Sequence, residues 1–408
     1  MKRIIRNLTA NFFSAKPLYH AIKQRREELR RRRAQDQLRK KQPIIRQGSP
    51  ECFERLPLRV SWNVTSFCNF RCSYCYYAGT EYKKDFCTLE QAETAIRHLA
   101  LANRPNYTVS LLGGEPTTHP HLAEIITLFH KHLGDRLDCL MIFSNGTFSE
   151  KQIDAILSAG TKLHFKLIIS VHLEYMSINK VVELVKRLSN QTYMEMRVLF
   201  QPDLFEKTVA MADTLCSLRK DYPFYFMIGM IREAPFFSKI DSRYTPEHFE
   251  WTEKTKKRFD EVALEGAKWT RAYPKTTEEE FLVEINVRDV VENHKQISRS
   301  ELKNLTGNCF TGMTCVAGTN CIKINADGRV RGILCGLDRF TCNIFEENPF
   351  LREDWMHGVF CTRAICGCGV NYPFPKFKSP ADAQRFIAEK KLEQKKMMRG
   401  YQNNHLTI

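Results

Sequence analysis

Long apolar runs are absent from this 408-residue chain. No stretch approaches the roughly 20 apolar residues that a membrane-spanning helix needs. Near the start, Ile4, Ile5, Leu8, Phe12 and Phe13 are apolar, but charged and polar residues interrupt them before they reach the length of a signal-peptide core. We therefore expect a cytoplasmic protein whose 15 cysteines stay reduced and available to metal.

Excess positive charge is scarce over most of the chain, although the formal net charge is +16. Residues 1–49 hold 15 Lys or Arg against Glu27, Glu28 and Asp36, which leaves only +4 for all other residues. An enzyme of nucleic acids would carry basic residues around its active site, so nucleic acid is an unlikely partner. The basic segment, with apolar residues ahead of it, predicts docking to an anionic membrane surface or protein partner, peripheral to the membrane in the first case. A solvated arm is the alternative.

Changes in composition divide the chain into five regions. Residues 21–42 are strong helix formers with almost no apolar stripe, and Pro43, Gly48 and Pro50 then indicate a linker. From Cys309 onward the chain is dense in Cys and Gly. We predict a basic tail or helix over 1–49, a catalytic core over 50–235, a helical connecting region over 236–305, a small Cys-rich α+β module over 306–375, and a helix or tail over 376–408.

Strand and helix patterns alternate in the core region. Thr88 with Gln91 and Ser149 with Gln152 form capping boxes that predict helix starts. Six β-rich runs in succession predict an α/β fold with a parallel sheet, and either an open doubly wound sheet or a curved, barrel-like sheet satisfies the pattern. The runs are 58–64, 107–112, 139–144, 163–171, 194–200 and 224–228.

A cysteine loop follows the first predicted strand. It reads SFCNFRCSYCYYAG, with Cys68, Cys72 and Cys75 in a C-x3-C-x2-C spacing. Three such thiolates can hold three corners of an iron–sulfur cube and leave one iron open for a substrate or cofactor. The alternatives are a zinc site that lacks a ligand, or cysteines with no metal. Zinc requires a fourth ligand, which the loop does not contain, and loops at the carboxyl ends of parallel strands are where α/β proteins build active sites.

The cysteine loop resembles the signature of the radical S-adenosylmethionine (SAM) superfamily, C-x3-C-x-aromatic-C, with Tyr74 as the aromatic residue. After the second predicted strand, the segment Gly113-Gly114-Glu115-Pro116 is similar to the family's GGEP segment, which contacts the SAM amino group. Glycines allow the backbone to approach a cofactor, and a carboxylate suits an ammonium group.

The resemblance implies a partial (β/α)6 radical SAM barrel over about residues 58–230. It implies that Cys68, Cys72 and Cys75 hold a [4Fe-4S] cluster, that an external donor such as flavodoxin or ferredoxin reduces it, and that SAM is cleaved to methionine and a 5′-deoxyadenosyl radical that takes hydrogen from a substrate. It further implies SAM contacts at strand ends, by Asn145, Ser170 and Arg197. An ordinary turn, a strand end and a core-edge arginine are the alternatives for these three. The resemblance also places His172 near the family's ribose contacts, with an ordinary strand-end residue as the alternative.

The C-terminal cysteines resemble the Twitch or SPASM extensions of the same superfamily. The full set of late SPASM cysteines is missing, so the resemblance implies one auxiliary iron–sulfur cluster, and a zinc knuckle is the alternative. Cys309 or Cys321 could replace one ligand. The predicted ligands are Cys315, Cys335, Cys361, Cys366 and Cys368. The remaining cysteines are better interpreted as small buried hydrophobes, namely Cys52, Cys87, Cys139, Cys216 and Cys342.

The substrate is left open by the sequence. No obvious peptide-recognition domain precedes the predicted barrel, which favours a sugar-like or other small molecule over a peptide. A non-catalytic iron–sulfur electron carrier or scaffold is the alternative from another class, and the GGEP segment argues against it.

Overall fold

A computed structural model describes residues 29, 44–47, 58–75, 85–161, 163–232, 240–262, 281–287, 290–297, 310–363, 366 and 374–405. The chain forms two compact units. We call residues 50–278, 317–357 and 388–408 the core unit, and residues 1–49, 279–316 and 358–387 the satellite unit. The predicted basic helix or arm over 21–42 lies outside the described residues, apart from Leu29.

The strands are β1 (Ile44–Gln47), β2 (Leu58–Thr65), β3 (Tyr107–Gly113), β4 (Leu137–Ser144), β5 (Phe165–Val171), β6 (Tyr193–Phe200), β7 (Tyr225–Met230), β8 (Phe281–Val287), β9 (Val290–Ile297), β10 (Thr314–Ala317), β11 (Cys321–Ile324), β12 (Val330–Arg331), β13 (His357–Phe360) and β14 (Lys376–Phe377). The helices are α1 (Leu89–Leu101), α2 (Leu122–Leu133), α3 (Glu150–Gly160), α4 (Ile178–Leu188), α5 (Phe205–Leu218), α6 (Pro246–Glu261) and α7 (Pro380–His405). Among the described residues no helix is long and apolar enough to cross a membrane.

The core unit is built on an eight-stranded sheet in the order β12-β11-β2-β3-β4-β5-β6-β7. Neighbours from β11 to β7 pair in parallel, and only β12 pairs antiparallel to its neighbour. Each of the six predicted β-rich runs overlaps one of the strands from β2 to β7. This sheet with its intervening helices is the partial (β/α)6 barrel that the resemblance implied.

The two faces of the core sheet differ in composition. Strands β2 to β7 follow one another in chain order, and right-handed crossovers then place the helices that connect them on one face. Trp62 on β2 is fully buried on that face, and its ring lies 6.0 Å from that of Phe129 on α2. We call the opposite face the inner face. One row of register partners across it is Ser61, Ser110, Met141, Lys166 and Tyr193, which are mostly half-buried and largely polar.

Local signals explain where the core helices begin. The side chains of Thr88 and Ser149 accept hydrogen bonds from the backbone N–H groups of Gln91 and Gln152, so both predicted capping boxes are confirmed. The buried residues of α2 are Leu122, Ile125, Ile126, Phe129 and Leu133, which form one apolar face.

The satellite unit contains most of a six-stranded sheet in the order β13-β10-β14-β1-β8-β9. The sequence-based prediction of a linker after Pro43 was wrong at 44–47, because this segment forms β1 and pairs with both β14 and β8. The prediction of a helical region over 236–305 was incomplete. It contains α6, but also the antiparallel hairpin of β8 and β9.

Candidate active site

The cysteine loop begins where β2 ends, at the carboxyl edge of the core sheet. The Thr65 hydroxyl accepts a hydrogen bond from Phe67 N–H at 3.0 Å, and Cys75 N–H donates to the carbonyl of Cys72 at 3.1 Å. Cys72 is buried, while Cys68 and Cys75 are half-buried. The loop therefore holds its three thiols between the sheet edge and solvent.

The three thiols are close enough to influence one another's ionisation. Burial, followed by smaller charge effects that include Cys75, raises the pKa of Cys68. Burial, then the charges of Glu174, Cys75 and Cys68, raises the pKa of Cys72 to about 12. At neutral pH these two thiols are protonated, and a cation placed among them would favour the thiolates.

Across the described residues, no group of three or more His, Cys, Asp or Glu is arranged to hold a metal ion. Cys68, Cys72 and Cys75 therefore remain a predicted ligand set. Their chemistry suits iron, since thiolates are the usual ligands of such clusters.

The segment from Gly113 to Pro116 closes against the cysteine loop. Gly114 N–H donates to the Thr65 carbonyl at 2.9 Å, and Glu115 N–H donates to the Phe67 carbonyl at 2.8 Å. A Cβ on Gly114 would lie 2.1 Å from the Phe67 oxygen, and one on Gly113, whose φ is +151°, would lie 2.2 Å from the Thr65 oxygen. Only glycine permits this approach.

The Glu115 carboxylate joins the ends of β3 and β4. Its oxygens accept hydrogen bonds from the Thr117 N–H at 3.0 Å and hydroxyl at 2.6 Å, the Ser144 hydroxyl at 2.9 Å, and the Asn145 N–H at 2.6 Å. Burial raises the pKa of Glu115, and these donors oppose that rise. In this arrangement the carboxylate holds the ends of β3 and β4 together. A contact with the SAM ammonium group stays a prediction.

Asn145 links the end of β4 to the cysteine loop. Its Nδ2 donates to Oδ1 of Asn69 at 2.8 Å, and Nδ2 of Asn69 donates to the Thr147 hydroxyl at 2.6 Å. Asn145 is buried, so this polar pair is a fixed part of the site. The sequence placed Asn145 at the site but gave no signal for Asn69, which stands between two of the cysteines.

The segment after β5 covers the same loop from the other side. Nδ1 of His172 lies 3.3 Å from Sγ of Cys72 and 2.7 Å from the Tyr74 hydroxyl, and the rings of His172 and Tyr74 stack with centroids 6.0 Å apart. Burial lowers the pKa of His172 to about 4 and raises that of Tyr74, so both side chains are neutral at pH 7. His172, for which the sequence left open a place near the SAM ribose or an ordinary strand end, contacts the cysteine loop.

Two further residues after β5 were missed by the sequence analysis. Tyr175 stacks on Phe70 with ring centroids 4.3 Å apart, and its hydroxyl accepts from the N–H of Arg71 at 3.1 Å. Glu174 accepts from the N–H of Ser73 at 3.1 Å. An acidic and an aromatic residue after a strand are common, so the sequence alone carries no signal for them.

Ser170 and Arg197 are register partners on β5 and β6, on the inner face. Arg197 forms an ion pair with Glu195, and its guanidinium lies 4.9 Å from the centroid of the Phe143 ring. The pairing with Glu195 reduces its free positive charge. Contacts of Ser170 and Arg197 with SAM remain predictions.

The C-terminal cysteines fall in both units. Cys315, Cys361 and Cys366 are buried in the satellite unit, where Cys361 N–H donates to the Met313 carbonyl at 2.9 Å. Cys335 is half-buried in the core unit, and Cys368 lies outside the described residues. Of the possible substitutes, Cys321 is buried on β11, and Cys309 lies outside the described residues. The auxiliary ligand set stays a prediction.

Comparison with known proteins gives a family match and distant relatives. Residues 62–198 match the Radical SAM superfamily. The chain is 34% identical over 101 residues to GTP 3′,8-cyclase of Chlorobaculum tepidum, which is 24% of this chain and 28% of that protein. It is 30% identical over 122 residues to GTP 3′,8-cyclase of Erythrobacter litoralis, 28% of this chain and 36% of that one. The chain thus spans about a third of the length of the curated relatives it matches.

Two solved structures are distantly similar. Streptococcus suis SuiB bound to S-adenosylmethionine shares 15% identity, covers 72% of this chain and 64% of its own, and has a TM-score of 0.47. Native anSMEcpe with bound AdoMet shares 17% identity, covers 72% of this chain and 79% of its own, and has a TM-score of 0.48.

Proposed function

Residues 62–198 form a radical SAM domain, and from this premise we propose that the protein cleaves SAM reductively and abstracts hydrogen from a small-molecule substrate. The family's cofactors are a [4Fe-4S] cluster and SAM. When bound, they supply a 5′-deoxyadenosyl radical, while the protein contributes binding, orientation and the exclusion of water.

Cys68, Cys72 and Cys75 would hold three irons of the cluster. Their loop is held at one end by β2 and by the turn at Gly113 and Gly114. The backbone of that turn is then available to the methionyl amino group of SAM. Tyr74 and His172 are half-buried, and their stacked rings would help to keep water away from the buried Cys72.

The observation that carries the proposal is the close contact between the Gly113-Gly114 turn and the cysteine loop. A Cβ on Gly113 would lie 2.2 Å from the Thr65 oxygen and one on Gly114 2.1 Å from the Phe67 oxygen, so neither position admits a side chain. The cysteine loop and the segment from Gly113 to Pro116 therefore meet at the carboxyl edge of the core sheet. A non-catalytic iron–sulfur carrier would need the cysteines but has no use for a cofactor-binding turn beside them.

For the substrate, a sugar-like or other small molecule remains our proposal over a peptide. The part of the inner face formed by β2 and β3 supports this, because Ser61, Thr108 and Ser110 there are short polar side chains. The apolar side chains that this face exposes, Tyr225 and Met227, lie on β7 at the far edge of the sheet. We propose a one-electron donor such as flavodoxin or ferredoxin as the reducing partner, and an anionic membrane surface or protein as the partner of the basic residues 1–49.

The test is SAM cleavage by protein reconstituted with iron and sulfide under anaerobic conditions. On reduction, wild type should release 5′-deoxyadenosine, and Cys68→Ala, Cys72→Ala and Cys75→Ala should each lose this release, because each removes one anchor of the cluster. Cys216→Ala, which removes a buried thiol on α5, is the matched control and should retain it. Unchanged release from any loop variant would refute the assignment, and no release from wild type would favour the electron carrier.

A further inference from the structure

Two cations stand side by side at the edge of the core sheet, on β11 and β12. Lys323 and Arg331 are direct partners in the antiparallel ladder, so their side chains project from the same face. Directly opposed residues in such a ladder have Cβ atoms about 5 Å apart, and like charges in this position repel. Both side chains are half-buried, and neither has a hydrogen-bond or ion-pair partner among the described residues.

The position of this pair on the sheet is fixed by register. Lys323 is the parallel partner of Ser61 on β2, and Ser61 is the partner of Ser110 on β3. The pair therefore lies on the inner face, beside two short hydroxyl side chains. Because strands are about 4.8 Å apart, Lys323, Ser61 and Ser110 span roughly 10 Å. Ser61 is buried and Ser110 is half-buried.

The two cations are also only partly open to solvent. Lys323 and Arg331 are half-buried and face each other directly across the ladder. Two partly buried like charges side by side are suited to an anion that binds both of them.

We propose that Lys323 and Arg331, with the Ser61 hydroxyl, bind a phosphate group of the substrate. A phosphate monoester carries close to two negative charges at neutral pH, which matches this pair, whereas a carboxylate carries one. Lys and Arg donate several hydrogen bonds to phosphate oxygens, and Ser61 adds one more.

This site makes the substrate class more specific and so rests on the proposed function. Ser61 precedes Thr65, the last residue of β2, by four residues, which is roughly 13 Å along a strand. The phosphate would therefore lie well away from the cysteine loop, at the end of the substrate remote from the hydrogen that is removed.

The experiment measures thermal stability of the full chain with inorganic phosphate up to about 20 mM, at ionic strength held constant with chloride. Wild type should show a saturable rise in Tm. Lys323→Gln and Arg331→Gln should each weaken the apparent Kd roughly tenfold, and the double variant should lose the response. Without phosphate, the double variant should be at least as stable as wild type, because the like-charge repulsion is removed.

Arg329→Gln is the matched control, since Arg329 is exposed in the same hairpin and pairs with Asp327. It should respond to phosphate as wild type does. An equal response of the double variant, an equal rise in Tm with acetate, or no response of wild type would each overturn the proposal. The double variant should still release 5′-deoxyadenosine in the absence of substrate. If wild type itself did not cleave SAM, the proposed function would be refuted, but the phosphate response would still test this site.

Discussion

At Gly114 the backbone of the turn meets the cysteine loop with no space for a side chain. We predict that Gly114→Ala lowers the free energy of unfolding by about 2–4 kcal/mol, because Phe67 must move to admit the Cβ. Gly229→Ala is the control. Gly229 has no positive φ, and its Cβ position lies 3.1 Å from a side-chain carbon of Leu199, which can move slightly. The control should therefore cost less than about 1 kcal/mol. Denaturant unfolding measures both, and equal losses would show that the turn can relax.

His357 is a half-buried histidine whose two ring nitrogens both lie near hydrogen-bond acceptors. Its Nε2 lies 2.9 Å from Oδ1 of Asp338, and its Nδ1 lies 3.1 Å from the carbonyl oxygens of Asp354 and Trp355. Both nitrogens must donate, so the ring is an imidazolium. Burial acts to lower the pKa of His357, but the hydrogen bond and charge of Asp338 outweigh it and raise the pKa overall.

A raised pKa in the folded state predicts a loss of stability as pH increases. The contribution of His357 should be complete below its unfolded pKa of about 6.5, and should disappear as pH rises through the higher folded pKa. We expect the Tm difference between wild type and His357→Gln to be larger at pH 6 than at pH 9. His121→Gln, at a largely exposed histidine, is the control and should change the Tm little. A constant difference for His357→Gln would show that the ring is neutral.

At the scale of the element, α3 depends on the cap at its start. Ser149→Ala removes the side-chain acceptor for the Gln152 N–H and should cost about 1 kcal/mol of unfolding free energy. Ser158→Ala, at an exposed position inside the same helix, should be neutral or slightly stabilising because alanine is the better helix former. Thermal unfolding of both variants provides the comparison. A loss at Ser158 as large as that at Ser149 would contradict the role of the cap.

The elements that the sequence predicted well are those whose signals are local. Periodicity and capping boxes lie within each βα unit, so β2 to β7 and their helices could be located. The strand β1 could not, because it exists only through pairing with β8 and β14, which lie far along the chain. The site follows the same rule. Cysteine spacing identified the loop, whereas Glu174 and Tyr175 join it only after the sheet has formed.

At the scale of the whole molecule, the five C-terminal cysteines predict a second cluster, and a fully ligated one would be unable to bind SAM. We expect wild type to bind about eight irons per chain, as two cubes of four. The double variant Cys335→Ala, Cys366→Ala should bind about half as many and still release 5′-deoxyadenosine. Iron and zinc analysis of the reconstituted protein measures this. Four irons with one equivalent of zinc would show that the module is a structural zinc site.

The pairing of β2 with β11 has a consequence for biosynthesis. Arg59 and Cys321 are register partners although most of the core unit lies between them in the chain. At translation rates of about 5 to 20 residues per second, β2 waits on the order of 10 to 50 s for this partner after it emerges from the ribosome. During that interval a nearly fully buried strand has one open edge, which is where newly made chains aggregate. Nascent chains that end before residue 324 should therefore need chaperone protection that the complete chain does not.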